Sequence, residues 1–249
     1  MKILVCISSV PDTTSKINFT ADNKHFDSSG VQFVINPNDE FCLTKAIQLK
    51  EQYAGTTISL VNVGTSETEP VLRKAFAIGA DEIIRIDAIP TDAFFVATQL
   101  ATVAKEGGYD LIITGKESID YNGGMVGGYL SALLDLPFVN KCIGLEIDGT
   151  TVRAEREIDG GKELLSATLP IVIGGQKGLT QEKDLRIPNM RNLMAARTKA
   201  IRVIAPQTTE ARTEVVGFEK LPPKKPVRMV AADDLDTLVT LLKTEAKVL

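Results

Sequence analysis

"YDLIITGKESIDYNGGMVGG", residues 109 to 128, joins an apolar run ending at Gly115 to a polar loop carrying Gly123-Gly124, then to a second pair, Gly127-Gly128, where a helical segment starts. Strand, glycine-bearing turn and helix start in that order make one unit of a parallel sheet. Working outward, "KILVCISSV" (2–10), "TTISLVNVG" (56–64) and "EIIRID" (82–87) are further Ile- and Val-rich runs. Segments of helical period near 38–53, 67–78, 91–106 and 123–134 alternate with them, so residues 1–137 predict a doubly wound α/β domain with helices on both faces of its sheet. Such sheets bind ligands beyond the carboxyl ends of their strands, and the loop after Gly115 lies at such an end.

That loop brings free backbone N–H groups and the positive end of a helix dipole to one place, which suits a phosphate without any charged side chain. The glycines equally suit a helix packed closely on the sheet. The loop has neither the G-x-x-x-x-G-K-[ST] nor the G-x-G-x-x-G spacing. A second loop, Asn36-Pro37-Asn38-Asp39, enters the helix at 38–53; helix capping is its default reading and a nucleotide pocket the alternative.

Other chemistry finds little support. His25 is the only histidine and sits in a polar stretch, so a Ser-His-Asp or Cys-His arrangement has nothing to rest on. Asp148, Glu155, Glu157 and Asp159 fall on turns and strands where solvated carboxylates are ordinary. Cys6, Cys42 and Cys142 are far apart and suggest neither a disulfide framework nor a zinc site, which fits a reducing cytoplasm. A net charge of -4, 5% aromatics and no Trp argue against nucleic acid as a partner. No apolar run approaches the length of a membrane span, and "MKILVCISSV" reads as a first strand and not as a signal peptide.

After Pro137 the pattern changes. Residues 138–175 carry strand-like stretches broken by Asp148-Gly149 and Asp159-Gly160-Gly161, which predict antiparallel hairpins forming a small β lobe that completes the domain. Residues 176–200 are polar and basic, with helical character only in "MRNLMAARTK". Residues 201–249 form an arm, proline-rich around "EKLPPKKPVRMV", closing on a helix begun by acidic residues.

"AEREIDGGKELLSATLPIVIG" (154–174) resembles the signature of the beta subunits of electron transfer flavoproteins, through Arg156, Asp159-Gly160-Gly161, Glu163 and Leu169-Pro170. The departure is Gly174, where the family prefers a small hydroxyl, thiol or Ala. "INPNDE", "AIQLKE", "AFAIGAD", "TGKESID" and "IPNM" follow the family's order along the whole chain. The resemblance implies an electron carrier without bond-making catalysis of its own, in a heterodimer with an alpha subunit. It would take electrons from acyl-CoA or other flavin dehydrogenases, as in fatty acid beta-oxidation, and pass them to a quinone reductase or similar acceptor. It implies an FAD held mainly by the alpha subunit and, in this chain, a structural AMP, or a second FAD if the protein is of the electron-bifurcating class.

The implied nucleotide pocket comprises Cys6; Asn36, Pro37, Asn38 and Asp39; Val63; and Gly115, Lys116, Glu117, Ser118, Ile119, Asp120, Tyr121, Asn122, Gly123, Gly124, Met125 and Val126. The family's common class carries polar residues at the positions of Tyr121, Gly124, Met125 and Val126, while Val126-Gly127 is closer to the bifurcating class and Met125 stands where both have Gln, so weaker base-specific hydrogen bonding is expected here, with phosphate contacts through backbone and Ser118 intact. Residues 176–200 would be the loop that docks on dehydrogenases, with Ile187 as anchor beside Pro188, Met190 and Arg191. Met190, Leu193 and Met194 would pack beneath it, Arg186, Arg191 and Arg197 would steer acidic partners, and the arm would wrap the alpha subunit. Two rivals remain: an adenylating or ATP-cleaving enzyme, which would need a glycine-rich loop where "ISSVPDTTS" (7–15) has no glycine, and a non-redox adenine-nucleotide-binding module, which leaves the second half unexplained.

Overall fold

The computed structural model describes residues 1–224 and 226–249. Its centre is a nine-stranded sheet with helices on both faces. The strands are β1 (Lys2–Cys6), β4 (Thr57–Val63), β5 (Glu82–Ile86), β6 (Leu111–Gly115), β7 (Phe138–Asp148), β8 (Thr151–Ile158), β9 (Gly161–Thr168), β10 (Ile171–Gly175) and β11 (Arg202–Ile204), arranged β11-β5-β4-β1-β6-β10-β7-β8-β9. A separate antiparallel ribbon pairs β2 (Ser9–Pro11) with β3 (Phe33–Ile35). The helices are α1 (Pro37–Gln52), α2 (Glu69–Gly79), α3 (Ala93–Gly107), α4 (Val126–Leu134), α5 (Met190–Thr198) and α6 (Leu235–Leu241).

The predicted alternation of strands and helices is the architecture observed. Ile3, Leu4, Val5, Ile58, Leu60, Ile83, Ile84, Leu111 and Ile113 lose nearly all solvent contact because helices cover both sides of the parallel strands. One core layer packs α1 and α2 against the sheet, and the other packs α3 and α4. From β1 the chain builds outward through β4 and β5, then returns to place β6 on β1's other side. The crevice between the ends of β1 and β6 is therefore the point where strand order reverses.

Residues 138–175 do form the expected hairpins, β7-β8 and β8-β9, turning at Gly149 and Gly160, both with positive φ. They extend the main sheet, since β7 continues it and β10 runs parallel between β6 and β7. Ile171, Val172 and Ile173 are fully buried, and a run covered on both faces belongs in the middle of a sheet. Across β8 and β9, Arg156 and Glu163 stand opposite one another and form an ion pair. The departure at Gly174 has a local cause: a Cβ there would lie 2.4 Å from the side-chain oxygen of Asn140 on β7.

The loop between β2 and β3 closes on itself through a bridge between Phe19 and Phe26. Phe218 of the arm stacks on Phe19, with ring centroids 4.7 Å apart, and its N–H donates to the carbonyl of Asn23.

Candidate functional site

Asp39 occupies the strand-order crossover. It lies in the first turn of α1, is 2% exposed, and its carboxylate ties together three parts of the chain. The N–H of Ser8, just past β1, donates to one oxygen at 2.7 Å, while the N–H of Gly115 and the side-chain amide of Asn36 donate to the other, each at 3.0 Å. Burial pushes its carboxyl up to about 7, and the donors from Ser8, Asn36 and Gly115 pull the other way.

The default reading of Asn36 as a helix cap does not hold, because its side chain makes no capping bond to α1. Its amide donates to the carbonyl of Glu117 at 2.9 Å, and its carbonyl oxygen accepts from the N–H of Ile119 at 3.3 Å. Asn38 donates to the same Glu117 carbonyl at 3.1 Å. A short polar side chain at a helix start can bond its own helix or a neighbouring loop, and here the loop after β6 takes both asparagines. Pro37 sits at the start of α1, where its missing N–H costs nothing.

From the other side, the N–H of Lys116 donates to the carbonyl of Gly175 at 2.7 Å, and the Cys42 thiol donates to the carbonyl of Thr114. Gly115 to Ile119 are thus held by α1 and β10. Asp120 to Met125 form an exposed rim turning back through Asn122 and Gly124, both with positive φ. Cys6 and Val63, at the ends of β1 and β4, are buried in one core layer, and burial raises the Cys6 thiol far above its ordinary range. The first turn of α4 has no side-chain cap at Met125, which leaves its N–H groups for an anion.

The two readings of the glycines divide by position. Gly127 is needed for packing, since a Cβ there would sit 2.8 Å from the ring of Phe138. Gly123 has only the Met125 methyl within 4.0 Å of such a Cβ, so packing does not explain it. Ser8, Thr114, Cys42 and Gly175 also shape the site. Gly175 could not be foreseen from local pattern, because it reaches the loop only through the placement of β10.

The docking candidates lie elsewhere, on the flank formed by α1, α2 and α5. Ile187 is 88% exposed, and Pro188 is half-buried. Met190 and Met194 do not pack beneath the loop as expected; both face solvent, and Leu193 is the partly covered one. Arg186 is engaged with Glu51 at 2.7 Å, while Arg191 and Arg197 are exposed.

A profile of the electron transfer flavoprotein domain matches residues 24–209. The chain is 33% identical to the electron transfer flavoprotein subunit beta of Bacillus subtilis (strain 168), with both chains covered in full. It belongs to the electron transfer flavoprotein beta-subunit family. It is also similar to the mitochondrial subunit beta of Oryza sativa subsp. japonica, 33% identical over the whole of both chains. With the subunit beta of Homo sapiens it is 31% identical, covering 83% of this chain and 82% of that one. In this beta-subunit chain no helix among the described residues is long and apolar enough to cross a membrane, and no group of metal-binding side chains is found among them.

Proposed function

We propose that this chain pairs with an electron transfer flavoprotein alpha subunit, buries an AMP at the β1/β6 crevice, and carries electrons from acyl-CoA or other flavin dehydrogenases to a quinone reductase or similar acceptor. The observation that carries the nucleotide reading is the network around Asp39 and Asn36. It places the Gly115–Ile119 backbone at the strand-order crossover and leads into the uncapped start of α4.

The residues fit a phosphate better than a base. Backbone N–H groups and the Ser118 hydroxyl would hold the phosphate, with Cys6 and Val63 as floor and Tyr121 and Met125 as apolar rim. AMP brings no chemistry of its own, whereas the FAD shared with the alpha subunit supplies the electron exchange when bound. This chain's residues then hold the nucleotide, support the alpha subunit and present Ile187, Pro188, Met190 and Arg191 to a partner. Family membership and the exposure of Ile187 support that last role. The three buried free thiols, Cys6, Cys42 and Cys142, are consistent with residence in a reducing cytoplasm.

The test is the nucleotide released on denaturing the protein co-expressed with its alpha subunit, identified by mass spectrometry and counted against protein. One FAD and one AMP per heterodimer is the expected result. Two FAD would place the protein in the bifurcating class, and no flavin in a folded sample would overturn the redox reading in favour of a plain nucleotide-binding module.

A further inference from the structure

We infer that Arg73 is a positioning residue for partner docking, holding the docking helix α5 in place from beneath; the inference rests on the docking reading above. α5 has nine residues, too few to be stable alone in water. Its apolar attachment is slight. Ala196 is its one buried residue, and an open cleft of about 200 Å³ lined by Phe76, Ala77, Gly79, Ala80, Asn192 and Ala195 lies where it meets α2.

Polar bonds add to the packing between the two helices. One guanidinium nitrogen of Arg73, on α2, donates to the carbonyls of Ala196 at 2.6 Å and Lys199 at 2.9 Å. These groups close the carboxyl end of α5, where orphan carbonyls and the negative end of the helix dipole favour a fixed cation. Arg73 is itself held. Its other terminal nitrogen faces Glu69 at 3.8 Å, and Glu69 meets Arg85 at 3.3 Å. Arg85 is buried and donates to the carbonyl of Gly64, next to Val63.

The near end of the docking segment is tied by Arg186, whose N–H donates to Thr44 at 3.3 Å and whose guanidinium pairs with Glu51 on α1. That ion pair is solvent-exposed, so it holds less firmly than Arg73. Ile187 and Met190 stand between the two arginines, exposed yet fixed to the folded body. A partner that binds a pre-ordered segment does not have to order it.

The experiment uses the heterodimer with Arg73→Met, Arg73→Lys and Ile187→Ala. Amide exchange is followed in α5, and electron-transfer kinetics are followed with an acyl-CoA dehydrogenase reduced by its own substrate. With Arg73→Met, exchange at residues 193–198 should rise about tenfold or more as charge-assisted bonds are lost. The KM for the dehydrogenase should rise roughly fivefold to tenfold with kcat and flavin content unchanged. Arg73→Lys, which keeps a cation and one donor to the carbonyls, should restore part of both. Unchanged exchange in Arg73→Met overturns the inference, as does an unchanged KM when Ile187→Ala raises it. If Ile187→Ala also leaves KM unmoved, the docking reading is what fails, and the inference falls with it.

Discussion

The β1/β6 crevice and the carboxyl-terminal arm place their polar and apolar residues in opposite ways. At the crevice, Asn36, Asn38 and Asp39 are buried and each is bonded to a loop far away in sequence. Along the arm, Val216, Leu221, Val227 and Met229 are 89%, 92%, 82% and 85% exposed, and α6 buries no residue. Beyond β11, the described residues of the arm meet the body through isolated contacts: Gln207 with Gln99, Arg212 and Thr213 with Asp92, Phe218 with Phe19, and Lys220 with Asn18. Polar groups inside with partners make a crevice closed within the chain, whereas exposed apolar groups are the pattern of a surface that another molecule can cover.

The severest test of that contrast is to remove residues 221–249. Loss of co-purification with the alpha subunit is expected, while the melting temperature of this chain stays within about 4 °C, the shift that roughly 1 kcal/mol produces at this size. A collapse in melting temperature would show that the arm belongs to the core after all.

Next in size is Asp39→Asn. Its carboxylate accepts from three donors, and an amide in its place must aim an N–H group at one of them, which costs about 1–3 kcal/mol and should lower nucleotide occupancy. The same residue gives a pH signature. Its carboxyl is raised from 3.8 to about 7, so the folded protein binds this proton more tightly than the unfolded chain does. Its contribution to stability is therefore fully present below pH 3.8 and is lost as pH rises through about 7. Denaturant titrations between pH 5 and pH 8 should show that part of the slope vanish in Asp39→Asn; an unaltered slope would assign it to other groups.

The smallest effect belongs to Phe218→Ala. Losing its stack on Phe19 removes about 0.5–1.5 kcal/mol of local attachment. Limited proteolysis of the isolated chain should cut faster between residues 206 and 224, with the body's melting temperature unchanged.

The parallel half of the fold was legible because strands buried on both faces write themselves as continuous apolar runs, as in "KILVC" and "LIITG". The hairpins were legible from Asp148-Gly149 and Asp159-Gly160, which turn where that chemistry predicts. The place of β10 was not. "IVIGG" follows directly on a hairpin, and nothing local says that it pairs with β6, far back in the sequence. Asn36 misled for a related reason, since its local bonding option is a cap and its actual partners are Glu117 and Ile119. Met190 and Met194 were expected to pack beneath the loop, yet on α5 both side chains face solvent.

The insertion of β10 between β6 and β7 has a consequence for the order in which the molecule is made. Leu111–Gly115 leaves the ribosome long before Ile171–Gly175, and until the later strand arrives Lys116 lacks the Gly175 carbonyl that receives its N–H. Closing a contact so distant in sequence is a slow step in folding. The nascent chain thus carries the loop after β6 well before β10 can hold it in place, and assembly of the crevice waits on the strand that fills the sheet.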